Sequence, residues 1–173
     1  MIRKISGLVI FSAIALAGCR AESQPRPNPP ATQETVESPE EAAVETIAVT
    51  IQLADGGRHI FNVETAITAE EQRRGLMFRE SLPQDGGMIF PFEYPRYASF
   101  WMRNTMIPLD MIFIRADGVI TNIARETEPY TLDSNVSIEP VIAVLEIDGG
   151  RAAELGIDAG DRVSWAGGPG AAE

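Results

Sequence analysis

The run Phe100-Trp101-Met102-Arg103-Asn104-Thr105-Met106-Ile107-Pro108-Leu109-Asp110-Met111-Ile112-Phe113-Ile114 decides how this 173-residue chain is read. Two apolar runs, residues 98–102 and 109–114, enclose a polar Asn104-Thr105 pair and Pro108. That pattern predicts strand, tight connection, strand, with polar groups held at the junction. Side chains alternate across a strand, so Phe100 and Met102 share one face and Trp101 and Arg103 the other. By the same rule Asp110 points with Ile112 and Ile114, opposite Leu109, Met111 and Phe113. A carboxylate among apolar residues needs an Arg or backbone N–H groups to satisfy it. Such a junction is either a structural latch or the floor of a site.

The flanking sequence supplies the rest of a β-rich domain. Ile47, Val49, Ile51 and Leu53 alternate along a first strand, Asp55-Gly56-Gly57 turns it, and residues 59–66 return as a hairpin. Thr68-Ala69-Glu70-Glu71 fits a capping box opening a short helix to about Phe78. Residues 88–92 read as a third strand, and Asp117-Gly118 turns 109–115 back into 119–125. Residues 126–139 are polar, with Pro129, and read as a surface loop. Residues 141–147 are almost continuously apolar, which predicts a strand buried on both faces. A short helix over 151–155 and a last strand over 162–165 complete an α+β domain spanning 46–166. About eight short strands and two short helices suggest a strongly bent sheet or small barrel. The Gly- and Ala-rich tail, 167–173, is expected to be disordered.

Residues 1–19 are expected to be a lipoprotein signal peptide. Arg3 and Lys4 precede an apolar run of signal-peptide length, and the segment closes on Leu16-Ala17-Gly18-Cys19. That ending resembles the lipobox of bacterial lipoproteins, which implies a lipidated Cys19 anchored to the membrane outside the cytoplasm. The Arg after Cys19 favours the outer membrane in a Gram-negative cell. Residues 20–45 carry five Pro among Glu, Gln, Ser and Thr, the composition of a disordered tether. At roughly 3.1 Å per residue its contour reaches about 80 Å. The localisation expected is the cell envelope, facing the periplasm or the exterior.

Charge and residue usage then remove whole classes of chemistry. Lys4 is the only lysine and Cys19 the only cysteine, so after processing no Schiff-base lysine, P-loop lysine, thiolate or disulfide remains. Twelve Arg then face twenty-five Asp and Glu, a net charge of −13, which disfavours nucleic acid as a partner.

Arg74-Gly75-Leu76-Met77-Phe78-Arg79, Leu82-Pro83, Gly87-Met88-Ile89-Phe90, the 100–114 run, Val144-Leu145-Glu146 and Gly160-Asp161 occur together in this order. In this the chain resembles the bacterial and archaeal domain-of-unknown-function family 192, over residues 47–165. The resemblance implies a small β-rich domain, often secreted or lipid-anchored, with no assigned activity. Residues 152–163 also resemble the helix–turn–strand of PDZ domains, which reads as a common way to pass from helix to strand.

Several constellations compete as sites. Asn104, Asp110 and one of Arg74, Arg79 or Arg103 could hold a small polar ligand beside Trp101; equally, Asp110 could cap the 104–108 turn and pair an Arg. Glu146, within an apolar strand, is an Arg partner or a general base with a raised pKa. With Asp110 it would supply the two carboxylates of a glycosidase-like hydrolase. The cluster Arg73, Arg74, Arg79 complements local acids or binds an anion, which arginine forks hold bidentately. His59, the only histidine, reads as an exposed strand residue, and no nucleophile motif accompanies it. Asp148, Asp158 and Asp161 lie near glycines without a calcium-loop spacing, so neither metal nor cofactor is expected. Met77, Met88, Met102 and Met106 surround the central run and read as core filler. The reading is a non-catalytic binding or scaffolding module. Its polar site lies at the junction from Trp101 to Asp110, and its partner is a small ligand or an envelope protein. The alternative is a carboxylate-dependent hydrolase acting on an envelope glycan or small metabolite.

Overall fold

The computed structural model describes residues 45–169. The expected leader, the expected tether as far as residue 44 and the expected tail from residue 170 lie outside them. Among the described residues nine strands form: β1 (Thr46–Gln52), β2 (Arg58–Thr65), β3 (Met88–Arg96), β4 (Ser99–Phe100), β5 (Leu109–Ile114), β6 (Ile120–Thr127), β7 (Asn135–Val136), β8 (Val141–Asp148) and β9 (Arg162–Trp165). Two short helices accompany them, α1 (Ala69–Arg74) and α2 (Arg151–Glu154). Seven strands make one sheet in the order β6-β5-β8-β3-β2-β1-β9, and β4 pairs with β7 in a separate two-stranded flap.

The sheet is mixed because β2 and β3 run parallel while the other neighbours are antiparallel. A parallel pair needs a crossover. Residues 66–87 provide it, and they carry α1. The sheet curves far enough that its two edges meet at one bridge, Val119 to Arg162, with Val163 N–H donating to Gly118 O at 2.7 Å. Beta-6 and β9 share no ladder, so the architecture is a bent mixed sheet rather than a closed barrel.

Alternation sorts the side chains into two cores. Val49, Ile51, Phe61, Ile112, Ile114, Leu145 and Ile147 pack on one face. Phe90, Met111, Phe113 and Val144 pack on the other, together with Leu76 from the crossover and Met102 from the central run. All six residues of β5 are buried, and β8 is buried nearly throughout, as its continuous apolar sequence requires.

The central run departs from its expected strand–turn–strand form. Only Ser99 and Phe100 pair before Leu109, and their partner is β7 rather than β5. Met102 accepts from Thr105 N–H at 3.1 Å, a turn with Asn104 at φ 56°. Asn tolerates this left-handed position better than most residues. Backbone bonds from Met102 N–H to Thr131 O and from Tyr130 N–H to Thr105 O then tie the run to the long polar segment. That segment is therefore not free loop throughout, because it contributes β7.

Candidate functional site

The crossover builds one wall of a cleft. Thr68 caps α1 reciprocally: Glu71 N–H donates to Thr68 Oγ1, while Thr68 N–H donates to Glu71 Oε2 at 2.8 Å. Gln72 Nε2 donates to the carbonyls of Ala66 and Pro91 at 3.2 and 3.1 Å, pinning the helix to β3. The last helical turn presents Arg73 and Arg74 to solvent. Gly75 then turns the chain at φ 47°, where a Cβ would lie 3.3 Å from the Phe90 ring. Only glycine combines that dihedral with so close an approach.

The flap builds the opposite wall. Phe100 meets Phe90 edge-to-face, with ring centroids 5.1 Å apart, an arrangement that aromatic quadrupoles favour. Trp101 follows, half exposed, and the Arg103 guanidinium lies 5.9 Å from its ring centre. The Asn104 carbonyl accepts from Phe78 N–H at 2.9 Å, joining the end of the crossover to the flap.

Between these walls lies a cleft of about 500 Å³. Leu76, Phe90, Phe100 and Trp101 give it an apolar surface, and Arg73, Arg74 and Arg96 line it too. Arg96 is steadied by Phe92, whose ring centre is 3.8 Å from its guanidinium carbon. Among the described residues, Glu146 is the only carboxylate that lines the cleft. It sits on β8 opposite Met88 and Met111 and is 4 % exposed. No charged or hydrogen-bonding partner among the described residues offsets its desolvation, and burial alone pushes its pKa up to about 8. The carboxyl is therefore largely protonated at neutral pH, able to donate one hydrogen bond and accept another.

Asp110 is the opposite case. It is fully buried on the other face of the sheet, the face of Ile112 and Ile147. Its Oδ1 accepts from Glu126 N–H at 2.7 Å and Gly150 N–H at 3.1 Å, and its Oδ2 from Ala152 N–H at 2.8 Å. These bonds lock β5 to the end of β6 and to the start of α2. Asp110 and Glu146 therefore do not converge, and the two-carboxylate arrangement is not assembled.

The structure brings Arg74, Trp101 and Glu146 to one cleft, with Arg103 stacked beside Trp101 and Asn104 behind the wall. Arg79 is directed elsewhere, forked onto Glu64 at 2.5 and 2.6 Å. Several cleft residues were not among the sequence candidates, including Leu76, Phe90, Phe100 and Arg96. Phe90 belongs to an apolar strand that looks like core, and Arg96 sits at the irregular end of β3, where periodicity carries no signal. His59 is half buried in β2 and does not line the cleft. Met88 and Met102 are buried in the core that supplies Leu76 and Phe90.

No curated protein matches the chain. Similar solved structures include a Sinorhizobium meliloti protein described as a proposed transcription regulator, at 38 % identity and TM-score 0.70. The match covers 73 % of this chain and 98 % of that one. Another is a protein of unknown function from Novosphingobium aromaticivorans, at 46 % identity and TM-score 0.69, covering 73 % of this chain and 89 % of that one. The family model described as "Uncharacterized ACR" matches residues 50–165, which takes in the cleft, the flap and every strand of the sheet from β2 to β9. The chain belongs to that family, domain-of-unknown-function family 192.

Proposed function

We propose that this domain is a small-molecule binding module whose site is the cleft over Glu146, held in the cell envelope by a lipid on Cys19. One observation carries the reading: a buried, unpartnered carboxyl lies at an open, half-apolar cleft beside a half-exposed Trp101. Desolvating a carboxyl without compensation is costly, and perturbed groups of this kind concentrate at functional sites. The cleft volume lies within the range of small-ligand sites, roughly 300–1,000 Å³. A neutral carboxyl complements a group offering an adjacent acceptor and donor, such as an amide, a diol or the edge of a heterocycle.

A non-catalytic role is favoured because Asp110 lies on the far face and no second carboxylate among the described residues lines the cleft. A two-carboxylate hydrolase needs both groups flanking one bond. The site is accordingly centred on Glu146 rather than on the junction from Trp101 to Asp110.

The test is a thermal-shift screen of envelope metabolites and glycan fragments, followed by calorimetry on wild type, Glu146→Gln and Asp110→Asn. A ligand of the cleft should lose about tenfold in affinity with Glu146→Gln, which exchanges a donor–acceptor pair of different strength. Asp110→Asn should lose roughly 2 kcal/mol of stability, by disrupting bonds to a charged acceptor, and still bind. Binding lost with Asp110→Asn but kept with Glu146→Gln would return the site to the 101–110 junction. Turnover of a bound glycan would replace this reading with the hydrolase.

A further inference from the structure

We infer that the ligand of this cleft is an anionic small molecule, its negative group held by Arg73, Arg74 and Arg96 and its uncharged ring against Trp101 and Phe100. This rests on the reading of the cleft as a binding site and specifies what enters it. Four of the domain's ten arginines pair with acids, while Arg58, Arg103 and Arg162, outside the cleft lining, do not. Arg79 pairs with Glu64, Arg115 with Asp117 and Glu139, Arg125 with Asp158, and Arg151 with Asp85 and Glu154. Arg73, Arg74 and Arg96 form no ion pair among the described residues, and all three line the same cleft.

That distribution runs against the molecule's own charge. In a chain of net charge −11, acids capable of pairing these arginines are plentiful. Three unpaired cations gathered at one concavity make a local positive potential, which a low-dielectric wall focuses. The single lining carboxylate is the buried Glu146, whose protonated form subtracts no charge from that potential. Glu64, Glu71 and Glu45 line a neighbouring depression with Arg79; Arg74 borders both hollows, whereas of the two Arg73 and Arg96 line only the cleft. Glu71 is turned back into the helix cap, away from Arg73 and Arg74. Arginine forks suit carboxylate and phosphate alike, and either group satisfies the inference.

The chain's two tryptophans allow a test that needs no known ligand. Trp165 is buried and Trp101 lines the cleft, so quenching of Trp101 reports the potential there. Using the full-length protein at constant ionic strength, iodide, caesium and acrylamide quenching would be compared, with Trp101→Phe subtracted. Iodide should quench Trp101 at least about twofold more strongly than caesium once each is normalised to acrylamide. In Arg73→Ala/Arg74→Ala/Arg96→Ala the ratio should fall towards unity, because Arg103 is then the cation left beside Trp101. Caesium quenching equal to or above iodide in wild type would overturn the inference. So would a ratio unchanged by the triple substitution.

Paired probes separate this failure from failure of the cleft itself. Glucuronate would be set against glucose, and benzoate against benzyl alcohol. The charged member alone should raise the wild-type Tm, with the shift lost in the triple variant. Equal shifts from the neutral members, lost with Glu146→Gln, would keep the binding cleft and overturn the anion.

Discussion

Asp110 and Glu146 sit on neighbouring strands, one residue out of phase, and that single step separates a latch from a site. Asp110 Oδ1 and Oδ2 take three backbone N–H groups, whereas burial leaves Glu146 holding its proton to about pH 8. The consequence for stability has a definite sign. Between the ordinary value near 4.5 and about 8, folded Glu146 keeps a proton that the unfolded chain releases. Its contribution to stability is therefore greatest below pH 4.5 and is lost as pH rises towards 8, by about 1.4 kcal/mol per unit. Glu146→Gln keeps the shape without the proton. Denaturant titrations between pH 5 and 8 should show wild type losing stability relative to this variant. Parallel pH profiles for the two proteins would contradict a buried, unpartnered carboxyl.

At the scale of elements, the cleft depends on how closely β3 approaches β8 and on what pins α1 above them. Gly87, just before β3, is packed so tightly that a Cβ there would overlap the Glu146 carbonyl oxygen. On its other side Glu64 N–H donates to Gly87 O at 3.0 Å, which ties β2 to the start of β3. Gly87→Ala must push β3 away from the backbone that carries Glu146. Overpacking of this kind should cost about 3 kcal/mol in chemical denaturation and weaken binding in the cleft. An alanine variant as stable as wild type would show that the strands have room to spare. Alpha-1, by contrast, buries no side chain. It stays on the sheet through the Thr68–Glu71 cap and Gln72, and so can offer two consecutive arginines to solvent.

For the whole molecule, the proposed function joins an acidic chain, a cation-rich cleft among the described residues and an N-terminal segment that resembles a lipobox. An acidic chain gives no attraction to anionic lipid, so the proposed anchoring rests on acylation of Cys19. Cys19→Ser should move the protein from the membrane pellet to the soluble fraction of the cell and abolish labelling by a fatty-acid analogue. Unchanged partitioning would mean that something other than Cys19 holds the protein to the membrane.

Much of this was legible without coordinates, for reasons that are local. Strand alternation placed Asp110 opposite Met111, the Thr68–Glu71 spacing specified a helix cap, and nearly continuous apolarity identified β8 as buried on both faces. Each of these depends on residues within a few positions of one another, where backbone geometry alone sets which side chains share a face. The remainder was decided by long-range packing. Ser99 and Phe100 pair with Asn135 and Val136, some thirty-five residues away, and nothing in either stretch announces the other. The bend that brings Val119 to Arg162 is likewise a property of the whole sheet. Glu146 illustrates the division most sharply. Its strand was readable, but whether a partner waits for its carboxyl depends on every element packed above it. Sequence determined the faces; tertiary structure alone decided which buried carboxyl was satisfied and which was left facing a cleft.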